Sequence, residues 1–210
     1  MKKHKITTHY MAMLAMLSSI LVVMSATGIG FIPLPLIKAT TMHIPVILGA
    51  VTLGPAAGAF LGGVFGLCSI WTNTVTPSIL SFAFSPFMTN EGLVGVVKSI
   101  WIAFGCRVLF GLAAGLLWKG IKKYFSNDYA ALPVTAAVAT MLHTILVMGS
   151  IYLLLAQQYA AVKNVAMGAV FGLIMGTVTA SGIPEAIAAA ILVTVIGKAL
   201  LKILSRMKKH

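Results

Sequence analysis

Polar side chains that interrupt the apolar stretches of this sequence are its candidates for chemistry. Arg107 lies about ten residues into the apolar run that begins near Val97, which is roughly 15 Å along a helix at the standard rise. A guanidinium at that depth can hold a carboxylate through two parallel hydrogen bonds. His143 and Thr144 lie near the middle of a later apolar run. Ionisable groups inside such runs are costly to bury and are functional candidates by default.

These candidates also have structural explanations. Arg107 could instead pair with Glu185 or with backbone carbonyls, and His143 could be a packing residue. Glu185 opens the last apolar run, where an acid in the first helical turn is favoured by the helix dipole. Thr135 and Thr140 are expected to bond back to carbonyls of their own helix.

Eight polar residues nevertheless fall on one side of the predicted topology. They map to the midplane or the outer half, where they would form a polar pocket beneath outer loops for a small, polar, anionic molecule. The predicted substrate-binding residues are Lys38, Thr41, His43, Asn73, Arg107, His143, Asn164 and Glu185.

The stretch "IPLPLIKATTMHIPVILGAVTLGP" (32–55) places a lysine, two threonines and His43 between apolar residues. Lipid cannot satisfy the polar groups of such a segment. We therefore expect it to fold back over the helices as a lid or wall, with Pro33, Pro35 and Pro45 restricting its path.

The amino-acid composition indicates which class of structure positions these side chains. Hydrophobic residues make up 60% of the 210 residues and charged residues 9%, and the mean hydropathy is +1.03. A soluble domain is about a quarter charged. Apolar runs of 18 or more residues recur, which indicates transmembrane helices. Because the runs are continuous and not alternating, an outer-membrane barrel is excluded. We predict an all-α integral membrane protein with a single domain, 1–210.

Six spans in one compact bundle account for the charge distribution. Basic clusters open the chain, follow the fourth span and close the chain, so the positive-inside rule puts both termini in the cytoplasm. This placement, and not nucleic-acid binding, explains the net charge of +12. The first run is too long for a signal core and is expected to be retained. The predicted spans are about 11–29, 43–53, 55–74, 97–118, 130–156 and 184–204.

Two further segments are predicted from their composition. Residues 77–96 contain prolines and polar residues, and we expect a long structured loop. Residues 159–183 are ambiguous. The stretch 165–178 is apolar enough for a seventh span, but a seventh span would put the C-terminal basic residues outside. We prefer a buried or re-entrant outer segment, which needs cover from protein or contact with water.

Small residues recur at helical spacing. Glycines four apart occur in 54–66, 111–115 and 168–176, and such spacing lets helices approach closely in lipid. We expect tight internal packing for all three groups. Near the inner end of the first span lies a stripe of small residues, for which internal packing and a docking face for another membrane subunit are equally open. The stripe consists of Ala12, Ala15 and Ser19.

Motifs for catalysis are missing from the sequence. No GxxxxGK[ST] occurs, so the chain does not hydrolyse ATP through its own P-loop. Only three acidic residues are present, with no pair for proton coupling and no HExxH. Cys68 and Cys106 lie in apolar runs without metal-ligand spacing and are expected to be buried free thiols. We expect a binding protein without metal or cofactor, and not an enzyme.

The stretch "HIPVILGAVTLGPAAGAFLGGVFGLCSI" (43–70) resembles the S component of energy-coupling factor (ECF) vitamin transporters, which is their membrane-embedded substrate-binding subunit. Four shorter stretches fit the same family in order: "FSPF" (84–87), "CRVLFGLAAGL" (106–116), "HTILV" (143–147) and "GIPEAIAAAIL" (182–192). The resemblance covers nearly the whole chain and is greatest to the pantothenate-type branch.

This resemblance implies six helices in a bacterial cell membrane and an outward pocket capped by the loops after the first and third spans. It implies that the chain captures pantothenate, whose carboxylate and hydroxyls would suit Arg107 and the polar loop residues. Delivery would follow docking on a membrane coupling subunit that carries two ATPase subunits, as in an ABC-type importer, with tilting of the loaded subunit. The family's docking motif, two small residues four apart on the first helix, is matched by Ala15 and Ser19, with serine replacing the usual second alanine.

Three other interpretations remain open. The cargo could be another vitamin or precursor, of the pyridoxine or hydroxymethylpyrimidine type, although Arg107 disfavours a neutral molecule. A self-contained secondary transporter would need a coupling-ion site and commonly has two similar halves, and the sequence shows neither convincingly. A membrane scaffold without a small-molecule site is disfavoured by the outer polar residues.

Overall fold

The chain was analysed as a computed structural model, which describes residues 8–33, 38–89, 91–125 and 127–207. Helices dominate this part of the chain, and one small antiparallel sheet follows the first helix. A π-helical turn, Trp101–Gly105, joins helix Gly92–Ile100 (α5) to helix Cys106–Tyr124 (α6). A second, Val178–Gly182, joins helix Met167–Thr177 (α8) to helix Ile183–Met207 (α9). The other elements are α1 (Thr8–Ala26), β1 (Phe31–Pro33), β2 (Lys38–Thr40), α2 (His43–Leu53), α3 (Pro55–Val75), α4 (Ser81–Phe84), α5 (Gly92–Ile100), α6 (Cys106–Tyr124), α7 (Asp128–Lys163), α8 (Met167–Thr177) and α9 (Ile183–Met207).

Helices of membrane-spanning length confirm the predicted all-α membrane class. A span needs about 20 apolar residues. Within the described ranges five helical stretches meet this requirement, and the apolar α2 is shorter, with 11 residues. The five stretches are Thr8–Ala26, Pro55–Val75, Gly92–Tyr124, Asp128–Lys163 and Met167–Arg206.

The short helix α2 lies at the centre of the bundle. All of its residues from His43 to Val51 are buried, and it packs against α1, α3, α6, α7 and α9. Eleven residues extend only about 16 Å, about half of a bilayer's hydrocarbon core. Because the surrounding helices cover it, this short element needs no contact with lipid. Pro45 therefore lies within a buried helix. The prediction that it restricts the path of a lid or wall over the helices is wrong.

Glycines let α3 and α6 approach each other closely. A Cβ on Gly58 would collide with the carbonyl oxygen of Gly111, and a Cβ on Gly62 would collide with the carbonyl oxygen of Arg107. On the facing helix, a Cβ on Gly115 would meet the backbone of Pro55. The prediction of tight packing is confirmed for these two groups of glycines except Gly54, around which a Cβ would find nothing within 4 Å.

The third glycine group does not pack in this way. Nothing lies within 4 Å of a Cβ built on Gly168, Gly172 or Gly176, so the prediction of tight internal packing is wrong there. Only Val170 and Ile174 of α8 are buried. The expectation of a buried or re-entrant segment at 165–178 is also wrong, because α8 continues through the π turn into α9 as one helical stretch.

Proline explains the second π turn. Pro184 has no N–H to donate to the carbonyl of residue 180 and would crowd it in a regular helix. The π turn Val178–Gly182 immediately precedes this proline and continues the helix with a wider turn, as such irregularities commonly do. Glu185 consequently does not lie at a free helix N-terminus, and the explanation that it serves the helix dipole is wrong.

The connections that follow the first and third predicted spans contain more regular structure than predicted. Strands β1 and β2 pair antiparallel, with Phe31 opposite Thr40 and Pro33 opposite Lys38, although the sequence predicted no strand. The expected loop at 77–96 contains α4, and α5 already begins at Gly92. Pro55 occupies the start of α3 as predicted.

The small-residue stripe of α1 faces outward. Ala12, Ala15 and Ser19 are exposed, whereas Met13 and Leu17 on the other side of the helix are buried. Internal packing within this chain therefore does not explain the stripe. The two cysteines are buried and free, as predicted.

Candidate functional site

The Arg107 guanidinium lies in the interior of the bundle. Arg107 is the second residue after the first π turn and is 4% exposed. Nη1 donates to the carbonyl oxygens of Ile102 and Ala103, each at 2.9 Å. These two carbonyls belong to the π turn, so the irregular backbone holds one end of the guanidinium. Of the two structural alternatives for Arg107, contact with carbonyls is observed and pairing with Glu185 is not.

Arg107 has no carboxylate partner within the chain. The sequence contains three acidic residues, and the described part of the structure includes all three. Glu91 pairs with Lys98 and Asp128 pairs with Lys122, each at 2.7 Å. Glu185 accepts a hydrogen bond from the backbone N–H of Thr40 at 2.9 Å. A buried cation without a counter-charge is strongly unfavourable, so the site calls for an anion from outside the chain.

Aromatic rings surround the guanidinium on two sides. Its carbon Cζ lies 4.7 Å from the centre of the Phe65 ring and 5.3 Å from that of Phe84. These contacts stabilise the cation through the ring faces and exclude water. Nε, which forms one edge of the guanidinium together with Nη2, finds no acceptor among the described residues. That edge has the geometry to bind a carboxylate through two hydrogen bonds.

His143 also contacts Phe65. Its ring centre is 5.6 Å from that of Phe65 and 4.8 Å from that of Phe110. The residue is 4% exposed, and neither ring nitrogen has a hydrogen-bond partner in the described part of the chain. Since Phe65 contacts both groups, the Arg107 carbon Cζ and the His143 ring lie within about 10 Å of each other.

His43 begins the central helix α2 and is 1% exposed. Its helix packs against α7, which carries His143. Backbone groups of Thr40 and Glu185 lie near the His43 ring, but neither ring nitrogen is within hydrogen-bonding geometry of a described group. A neutral imidazole presents one donor and one acceptor, so this ring offers both kinds of contact to a bound molecule.

Thr140 adds a fourth unsatisfied group. Its hydroxyl is fully buried and has no partner in the described part of the structure. The expectation that it bonds back to its own helix is wrong, whereas Thr135 does donate to the carbonyl of Ala131 at 2.7 Å. Thr140 lies three residues before His143 and therefore on the same helix face.

These four residues hold six unsatisfied buried nitrogen and oxygen atoms. A buried polar atom without a partner costs about 1–3 kcal/mol, so together they would cost an amount comparable to the stability of a whole domain. A bound molecule with several polar groups would offset this cost. The residues are His43, Arg107, Thr140 and His143.

Glu185 joins the outer sheet to the last helix. Its carboxylate accepts from Thr40 in β2, and the Thr41 hydroxyl donates to the carbonyl of Ile29 at 3.0 Å. These two bonds fix the end of the sheet next to His43. Among the predicted site residues, Thr41 and Glu185 thus hold the connection that leads into α2. The side chain of Lys38 lies outside the described part of the structure.

Two predicted site residues do not join the cluster. Asn73 is buried but satisfied, because it donates to the carbonyl of Ser69 and accepts from Ser81, both at 2.9 Å. The bond with Ser81 connects α4 to α3. Asn164 is exposed, with a left-handed backbone at the end of α7. Between His143 and Asn164 the backbone leaves the helical conformation at Leu155. Asn164 is not one of the buried unsatisfied residues, and its role in binding stays a prediction.

Sequence reasoning missed the aromatic residues and Thr140. Phe84 comes from "FSPF", a stretch that was noted only for its resemblance. Phe65 and Phe110 occur in glycine-rich apolar stretches, where nothing in the spacing separates them from ordinary core residues. No local signal distinguishes Thr140 from Thr135.

An apolar groove of about 350 Å³ between α1 and α3 is separate from this cluster. It carries no ionisable group other than the Cys68 thiol, so it does not suit an anionic molecule. Within the described ranges no group of three or more histidine, cysteine or acidic side chains is arranged to hold a metal ion.

Comparison with known proteins agrees with this geometry. Residues 9–197 match the family described as "ECF transporter, substrate-specific component". The chain is 34% identical over 206 residues to the pantothenic acid transporter PanT of Lactococcus lactis subsp. cremoris, with 96% of this chain and 97% of that protein covered. It is 29% identical over 213 residues to the pantothenate transporter PanT of Leuconostoc mesenteroides subsp. mesenteroides, with 96% and 93% covered.

Proposed function

Because this chain belongs to the family of ECF transporter substrate-specific components, we propose that its cargo is pantothenate and that Arg107, His43 and His143 bind it. The chain is the substrate-binding component of an ECF transporter, a multi-pass protein of the bacterial cell membrane. Its family is one of transporters and not of enzymes.

The single observation that carries the proposal is the unpaired Arg107. All three side-chain carboxylates of the chain are engaged elsewhere. Arg107 is 96% buried, and its guanidinium contacts two aromatic rings. Pantothenate supplies the missing anion as its terminal carboxylate. A neutral cargo of the pyridoxine or hydroxymethylpyrimidine type would leave the buried cation unpaired.

The names of the relatives support the same cargo. Two proteins that align with nearly the whole chain are described as transporters of pantothenic acid or pantothenate. Both the anion that the site requires and the cargo of these relatives therefore point to one molecule.

We place the chain in the membrane with six spans and with both termini in the cytoplasm. The central helix α2 counts as one span, although it crosses only part of the bilayer. The five longer helical stretches supply the others. This arrangement keeps the basic residues at 119–123 and 198–206 on the cytoplasmic side, and it puts the outer sheet and α4 on the side from which cargo arrives.

Delivery requires a membrane coupling subunit and two ATPase subunits. The exposed stripe of Ala12, Ala15 and Ser19 is the docking face for the coupling subunit, because small residues let a second helix approach closely. The Ser19 hydroxyl already donates to the carbonyl of Ala15 at 2.9 Å, so the stripe presents no unsatisfied polar group to a partner helix.

The test is isothermal titration of the purified chain with a panel of vitamins, in the absence of sodium and ATP. We expect tight binding of pantothenate and no binding of neutral vitamins. Arg107→Ala should weaken pantothenate binding roughly 30-fold or more, since removing one partner of a buried charge pair costs at least about 2 kcal/mol. Arg107→Lys should also bind weakly, because lysine lacks the planar fork.

Lys98→Ala is the matched control, since it removes one positive charge from the same helical stretch, Gly92–Tyr124, at a site paired with Glu91. Its affinity for pantothenate should be unchanged. Preferential binding of a neutral vitamin would refute the proposed cargo. If Arg107→Ala binds pantothenate as tightly as Lys98→Ala does, the guanidinium is structural.

A further inference from the structure

Three buried threonines of α7 differ in how their hydroxyls are satisfied. Thr135 donates to the carbonyl of Ala131 at 2.7 Å, and Thr144 donates to that of Thr140 at 3.2 Å. Such bonds to the preceding turn are the usual solution for threonine in a helix surrounded by apolar groups. The hydroxyl of Thr140 makes no such bond and has no other partner in the described part of the chain.

Two histidines with unsatisfied nitrogens accompany this hydroxyl. Thr140 and His143 share one face of α7, and His43 lies on the central helix α2, which packs against α7. Hydroxyl and imidazole groups can each donate and accept hydrogen bonds. This end of the site is therefore suited to neutral groups that also do both, which are hydroxyls and amides.

We propose that Thr140, with His43 and His143, recognises the hydroxyl groups of the cargo, while Arg107 binds its carboxylate. This assignment rests on the proposed function and makes Thr140 a residue that determines specificity. The chemical class that fits is an acyl amide with a carboxylate at one end and hydroxyls at the other.

The two ends of the site lie within the length of a molecule of this class. Cζ of Arg107 and the His143 ring are at most about 10 Å apart, because both contact Phe65. Pantothenate in an extended form measures roughly 10 Å from its carboxylate to its terminal hydroxyl, about the length of three extended residues, so it is long enough to reach both groups.

Specificity follows from the buried hydroxyl. A site built to hydrogen-bond a hydroxyl rejects an analogue that lacks it, because the polar groups of the protein are then left without partners. We expect the unmodified chain to bind at least one analogue of pantothenate that lacks a single hydroxyl about 10-fold or more weakly than pantothenate.

The experiment measures the affinities of the unmodified chain and of Thr140→Val for pantothenate and for the two analogues that each lack one hydroxyl. Valine has nearly the shape of threonine without its hydroxyl. Thr140→Val should bind pantothenate about 10-fold or more weakly, and it should no longer discriminate against the analogue whose missing hydroxyl Thr140 contacts. The two chains and the two ligands form a thermodynamic cycle, in which loss of discrimination identifies a direct interaction between Thr140 and the missing hydroxyl. Thr135→Val, at a buried hydroxyl with a partner in its own helix, is the control and should keep full discrimination.

Several results would overturn the assignment. One is equal affinity of the unmodified chain for pantothenate and for both analogues, a measurement that needs no variant and stands even if Thr140→Val does not fold. Another is a Thr140→Val chain that still discriminates against both analogues as the unmodified chain does. Failure of the proposed function looks different, since the unmodified chain would then not bind pantothenate at all, and the assignment would fall with it.

Discussion

Gly62 connects the packing of the helices to the geometry of the site. It lies on α3 against the backbone of α6, where a Cβ would collide with the carbonyl oxygen of Arg107. The obstacle is backbone and not the end of a flexible side chain, so α6 must move to admit a methyl group. We therefore expect Gly62→Ala to displace Arg107, the residue proposed to bind the cargo's carboxylate.

The size of the effect follows from opposing contributions. Alanine favours a helix over glycine by about 1 kcal/mol, whereas overpacking a close contact costs about 1–3 kcal/mol. We expect a net loss of roughly 1 kcal/mol in stability. The affinity for pantothenate should fall roughly 10-fold, because the carboxylate contact needs placement within about 0.5 Å and losing half of a 2–5 kcal/mol interaction amounts to about that factor.

Two matched variants separate the contributions in thermal unfolding and isothermal titration of the detergent-solubilised chain. Gly172→Ala has no neighbour within 4 Å and should be neutral or slightly stabilising, with unchanged affinity. Gly58→Ala meets the carbonyl of Gly111, one turn from Arg107, and should lower stability with a smaller loss of affinity. If Gly62→Ala is as stable and binds as tightly as Gly172→Ala, the reasoning about this contact is refuted.

Two further predictions concern the outer sheet and the docking face. Glu185→Ala removes the acceptor of the Thr40 N–H and should raise the dissociation rate of pantothenate several-fold in stopped-flow measurements, whereas Glu185→Gln keeps an acceptor and should stay close to the unmodified chain. An unchanged rate in both variants would show that this bond does not hold the sheet closed. Ala15→Trp should leave binding by the purified chain intact but block uptake by cells that contain the full transporter, while Ile191→Trp, on the exposed surface of α9, should permit uptake. Normal uptake with Ala15→Trp would remove the stripe from the docking face.

The membrane class and part of the site could be predicted from the sequence. Continuous apolar runs have few alternatives to helices in a bilayer, so the helical nature of α1, α3, α6, α7 and α9 followed directly. Arg107, His43 and His143 were identified because an ionisable group is conspicuous against an apolar background. The family was identified from motifs distributed over nearly the whole chain.

The local contacts of polar residues could not be predicted in the same way. Asn73 and Thr140 are both buried polar residues, yet Asn73 is satisfied by Ser69 and Ser81 whereas Thr140 has no partner in the described structure. Whether a buried group is satisfied depends on which neighbouring element reaches it. Nothing in the sequence predicted the kink in α7 at Leu155, which lies between His143 and Asn164.

The sequence by itself determined that the protein lies in a lipid bilayer and which few ionisable groups are costly to bury there. The reason is that the free energy of transfer into lipid depends on the side chain and on the length of the apolar stretch that contains it. Only the tertiary structure decided that three carboxylates bond elsewhere and leave Arg107 without a counter-charge. It also brought both Arg107 and His143 into contact with Phe65, and it left the Thr140 hydroxyl without a partner among the described residues. The hydrogen-bond partners of a buried group depend on how the helices pack. The close packing of α3 on α6 at their glycines requires both segments and cannot be predicted from either one alone.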